Sequence, residues 1–160
     1  MSRRVGARIA AFFAGVQHDL PSLVQMLRVG SEDTFLMSGR RYRVEVKVDP
    51  LRWMGLNFEL LDAVGARCLN YEIDTDLYDI SEPGQREFAL GIEDDIVAFL
   101  DALVAGSVRV GQVKGKTVMV VPGATGFYRI ERGRFLTSSK QFDRLDEALR
   151  GGELHCLGRD

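Results

Sequence analysis

Cysteine, histidine and tryptophan are scarce in these 160 residues: two, two and one. Cys68 and Cys156 stand far apart and no Cys-x-x-Cys pair exists. Neither a disulfide framework nor a dithiol or zinc-ribbon centre therefore has the residues it needs. Such cysteine usage fits a reducing cytoplasm. His18 and His155 lie near the two ends of the chain, where neither offers a rigidly held base for a triad, and Gly-x-Ser-x-Gly is missing. Charge of one sign is missing too. Twenty-one basic against 23 acidic residues leave a formal charge of −2, so no overall field draws in a nucleic acid or an anionic membrane. No stretch approaches the ~20 apolar residues of a membrane span. The expectation from these absences is a non-enzymatic cytoplasmic protein with no catalytic, metal or cofactor site, no nucleic-acid partner and no membrane.

What is present is ordinary globular material, 46% hydrophobic and 28% charged, in a length that predicts one domain over residues 1–160. At the N-terminus two arginines precede an apolar run, as in a secretory signal. Arg8 interrupts that run, however, and Val5, Ile9, Phe12, Phe13 and Val16 fall on one helical stripe, so a packed amphipathic helix is expected. Pro21 suits the first turn of a second helix, with Leu20, Leu23, Val24 and Leu27 on its apolar face and Gly30 at its end.

From Thr34 the period changes to two. Phe35-Leu36-Met37, Ser38-Gly39 and "RYRVEVKVD" spell a hairpin, with Tyr42, Val44, Val46 and Val48 on one side and Arg41, Arg43, Glu45, Lys47 and Asp49 on the other. "GLNFELLDA" and "ARCLNYEIDTDLYDI" continue the antiparallel meander across Val64-Gly65. A helix is expected from Ile92 to Ala105. Its buried stripe is Ile92, Ile96, Phe99, Leu100 and Leu103, and Glu93, Asp94 and Asp95 sit where its dipole favours acids. "VRVGQV", "TVMVV", "FYRIE" and "RFLTS" form a second meander, "RLDEALRGG" a short last helix and "ELHCLGRD" a loose tail. The fold class is α+β: N-terminal helices, antiparallel β-meander, central amphipathic helix, second antiparallel meander, short C-terminal helix.

Few motifs carry chemistry. "GQVKGKT" is one residue short of a phosphate loop and runs into a strand, so it reads as a hairpin turn. Arg40, Arg41, Arg43 and Lys47, and later Arg129, Arg132 and Arg134, alternate with Tyr42, Phe127, Tyr128 and Phe135. That alternation sends most of the rings to the inner face, as core packing requires, rather than to a nucleic acid. The densest charge is in "NYEIDTDLYDISEPG". As a strand it turns Leu69, Tyr71 and Ile73 inward and Asn70, Glu72, Asp74 and Asp76 outward. Tyr78 and Asp79 stand where a calcium loop needs an oxygen ligand and a glycine. Outward carboxylates without a lysine among them repel one another, which points to a cationic partner.

Glu72, Asp74, Asp76 and Asp79 are therefore the candidate partner-binding residues. The expected partner is a basic protein, and the expected function class is a small bacterial immunity-type inhibitor that occludes a toxin. Asp79-Ile80-Ser81-Glu82-Pro83-Gly84 also resembles the Asp-x-Ser-x-x-Gly element of PilZ domains. That resemblance implies the alternative, a small-ligand sensor of a cyclic dinucleotide. The Arg-x-x-x-Arg element of that family has no counterpart in "GRRYRVEVK", where Arg43 is followed four positions on by Lys47.

Overall fold

In the computed structural model, residues 3–22, 24–123 and 125–157 are described. The expected first helix is α1, Ala7–Asp19, with Ile9, Phe13 and Val16 buried. The expected second helix is instead a strand, β1, Val24–Val29. Leu23 lies outside the described residues; Leu20 and Leu27 are exposed, and Val24 alone of that apolar set is buried. The cause is local. Gly30, at φ 63, and Ser31 make a two-residue turn that lays β1 against β2, Glu32–Ser38, from Val29↔Glu32 to Val24↔Met37. A full ladder of strand hydrogen bonds outweighs an apolar stripe too short to reward a helix.

The first sheet continues as read, through β3 (Tyr42–Asp49), β4 (Trp53–Leu61) and β5 (Arg67–Asp74), in the order β1-β2-β3-β4-β5. Tyr42, Val44, Val46 and Val48 are buried beside Met54, Leu56, Phe58 and Leu60 of β4. Asp49 departs from the alternation. It is only 8% exposed, because its carboxylate accepts Ser31 Oγ at 3.2 Å and the Leu51 amide at 3.1 Å. It therefore closes the turn at Pro50.

The central helix, α2, spans Pro83–Ala105, beginning nine residues earlier than its apolar stripe suggests. Pro83 at its first position pre-sets the helical φ, and the first two turns are largely exposed, so no buried stripe marks them. Gly106 ends it in the left-handed conformation. The second sheet comprises β6 (Arg109–Val113), β7 (Lys116–Gly123), β8 (Gly126–Arg132), β9 (Thr137–Phe142) and β10 (His155–Cys156), ordered β10-β6-β7-β8-β9. Lys114 and Gly115, both at positive φ, form the two-residue turn between β6 and β7. The C-terminal helix α3 is one turn, Leu145–Ala148. The expected loose tail is in fact tied down: His155 pairs with Val110, and Leu157 is 2% exposed. "RFLTS" also needs correction, since β9 starts only at Thr137 and leaves Phe135 and Leu136 in the preceding turn.

Helix α2 contacts β4 and β5 of the first sheet and β7 of the second. Ile96, Phe99, Leu100 and Leu103 are all buried, and the Phe99 ring meets Phe58 at 5.2 Å and Tyr71 at 5.4 Å between centroids. The apolar core runs on from there through Val108, Val110, Met119, Val121 and Ile130. Val97 and Ala102 of α2 are buried as well, beside the stripe expected from the sequence. A helix packed on two sides has no wide wet face. No helix among the described residues is long and apolar enough to cross a membrane.

Candidate functional site

The acidic stretch divides in three. Glu72 and Asp74 lie on β5, the last strand of the first sheet, and point outward as the alternation requires. Their cross-strand neighbours on β4 are Asn57 and Gly55, neither charged. Glu72 accepts Asn70 Nδ2 at 3.3 Å and Asp74 accepts the Asp76 amide at 3.2 Å; no ion pair engages either among the described residues. Asp76 does not extend the row. β5 stops at Asp74, and Asp76 sits in the following turn at φ 53, a left-handed conformation that aspartate tolerates. Asp79 is further removed. Its Oδ1 accepts the Ser81 amide at 2.9 Å and Ser81 Oγ at 2.7 Å, and these bonds hold its carboxyl below the usual range. The Asp-x-Ser-x-x-Gly segment is thus the turn leading into α2.

The three helix acids separate in the same way. Glu93, fully buried, lies against the start of α1, where its Oε2 faces the amides of Arg8 and Ile9 at 3.2 and 3.5 Å and Arg3 approaches its Oε1 at 3.3 Å. It serves a helix dipole as expected, but that of α1 rather than its own. Asp94 pairs with Arg3 at 2.9 Å and with Arg8 at 2.5 Å. Asp95 alone joins the acidic surface.

Asp95 does so in a cleft of about 310 Å³ between the sheets. Tyr71, Ile73 and Phe99 wall one side, and Val121, Pro122 and Tyr128 the other. Glu72 and Asp74 stand on the rim, Ser139 of β9 reaches it, and among the described residues no basic side chain lines it. Burial raises the Tyr71 phenol to about 12, with Tyr128 and Asp95 adding to the effect. Burial, then the nearby Asp94, pushes the Asp95 carboxyl up. A half-buried phenol and carboxyl that resist taking on negative charge by themselves become better hosts once a cation enters. Glu72 and Asp74 also border a shallower hollow on the outer face, where the Trp53 ring lies across Gly55.

Several basic side chains are engaged elsewhere. Arg43 and Arg67 both approach Glu59 at 3.7 Å, and Lys47 lies 3.5 Å from Glu45. Arg129, 8% exposed, donates to the carbonyls of Ala148 and Arg150 at the end of α3. Of the four rings, most of which were expected inward, Tyr42 is buried, Phe127 and Tyr128 are half-buried and Phe135 is 85% exposed. Sequence reasoning missed Tyr128 as a site residue because its alternation marks it only as inward, and inward here is the wall of the cleft. Neither a family model, a curated protein nor a solved structure gave a significant match to this chain.

Proposed function

We propose that the chain is a protein-binding module whose acidic cleft receives a basic side chain of its partner. The observation that carries this is the cleft's lining: two tyrosines and Phe99 around Asp95, with Glu72 and Asp74 at the mouth and no cation among them. A lysine or arginine inserted there gains ring faces and carboxylates together. Its volume is at the small end for ligand sites and suits one side chain. A dianionic cyclic dinucleotide would meet carboxylates instead, so the observation favours the protein partner over the sensor.

In its finer form the reading is a small bacterial immunity-type inhibitor acting in the cytoplasm. A toxin that handles a polyanion carries a cationic active site, and an acidic rim with an anchoring cleft is its electrostatic complement. The test is purification of the tagged chain from its native host, followed by stopped-flow association with the recovered partner. Combined Glu72→Lys, Asp74→Lys and Asp76→Lys should leave folding nearly intact and slow association, most at low salt. Asp95→Asn should act mainly on dissociation. A triple variant that associates as fast as wild type would make the rim solubilising surface only. A bound nucleotide recovered in place of a protein, and lost in Ser81→Ala, would support the sensor.

A further inference from the structure

The second sheet ends in β9, whose outer edge has no strand partner among the described residues. Thr137, Ser138, Ser139, Lys140 and Gln141 of β9 are exposed whichever side of the sheet they face, and Phe135 and Leu136 just before it are 85% and 80% exposed. Ordering each strand residue costs roughly 1–2 kcal/mol of backbone entropy, and within one copy it is offset by pairing with β8 and by contact with α3 at the Phe142 end. Edges are ordinarily blunted by charge, proline, a bulge or shortness. β5 carries Glu72 and Asp74, β10 is two residues long, and β1 is backed by α1. β9 pairs with β8 in unbroken register from Thr137↔Arg132 to Phe142↔Phe127, holds no proline, and has Lys140 as its one charge.

We infer that this edge is completed by the same edge of a second copy, antiparallel across a two-fold axis. A two-fold perpendicular to the sheet requires one residue to face itself, and Ser139 is the residue that suits. Thr137 then faces Gln141 of the second copy and Ser138 faces its Lys140, so no like charges meet within the strand. The ends match as well. Leu136 of each copy faces Phe142 of the other, an apolar pair made twice because the contact is isologous. A foreign strand would need to supply this apolar–polar–apolar order, whereas a second copy has it by construction. Leu136, 80% exposed, offers most of the apolar surface for this contact, and Phe142, half-buried against its own core, offers the remainder.

Sedimentation analysis over a concentration series tests this. Wild type should move from 17.9 kDa toward twice that mass as concentration rises. Ser139→Lys places like charges opposite each other at the axis and should weaken self-association about 5-fold or more. Ser139→Glu should do the same, and an equimolar mixture of the two variants should recover association, because opposite charges then face each other. Leu136→Ser, remote from the axis, should weaken it independently. Wild type that stays at 17.9 kDa throughout, or a dimer indifferent to both charge variants, overturns the inference. Because the readout is mass rather than partner binding, failure here leaves the cleft reading standing.

Discussion

At the scale of single residues, two buried ionisable groups set measurable properties. Glu93 supplies the acceptor that α1 lacks, since Gly6 at its start has no side chain to cap with. Glu93→Ala should therefore destabilise the fold by about 2–3 kcal/mol, the range for charged hydrogen bonds at a helix start. Glu93→Gln, which keeps an acceptor, should cost less; equal losses in chemical denaturation would show that packing rather than capping is at stake. The second group is the tyrosine pair. Burial first, then neighbouring acids or phenols, raises Tyr71 and Tyr78 to about 12 from the ordinary 10.0. As pH rises past 10, the unfolded chain releases phenolic protons that the folded chain still holds, so the unfolded state gains. Stability should be full below pH 10 and fall progressively toward 12. Tyr71→Phe should flatten that fall, as followed by denaturation midpoints across the range, and an unchanged slope would mean that the Tyr71 phenol is not desolvated in the folded chain.

At the scale of elements, period-two stretches were legible and context-bound ones were not. "RYRVEVKVD" announces β3 because every second residue is apolar over eight positions, and only a strand buries such a set on one side. The segment after Pro21 misleads because six residues between two turn signals satisfy helical and extended spacing alike. What decides it is the neighbouring Glu32–Ser38 strand, which lies outside the segment. The triplet Glu93-Asp94-Asp95 was recognised as helix-associated, but not which helix it serves, since that follows from α1 folding back onto α2. The candidate site shows the same division. Glu72 and Asp74 could be placed on one strand side from sequence. Their meeting with Tyr128 and Asp95 depends on how the second sheet packs against the first, and that information is spread over the whole core.

At the scale of the molecule, the decisive feature is that α2 belongs to both sheets. Phe99 touches Phe58 and Tyr71 of the first sheet, and the same helix packs on β7 of the second. Neither sheet retains its core without this helix, because the apolar cluster continues through it from Met54 and Leu56 to Met119 and Val121. A shared core of this kind predicts one cooperative transition for the whole chain, as in small single domains. Trp53, the sole tryptophan, reports on the first sheet, and native-state amide exchange in β7 reports on the second. Their unfolding free energies should agree. Phe99→Ala should lower both by the same ~3–5 kcal/mol expected for truncating a buried phenylalanine. If the variant loosened β4 and β5 while β7 amides kept wild-type protection, the sheets would be separate units, and the cleft would be a gap between domains rather than a wall-to-wall site. If both reporters fall together, the cleft is held rigid by the core beneath it, with its rings and carboxyl fixed before any partner arrives, and the cost of ordering them is met in folding rather than in binding.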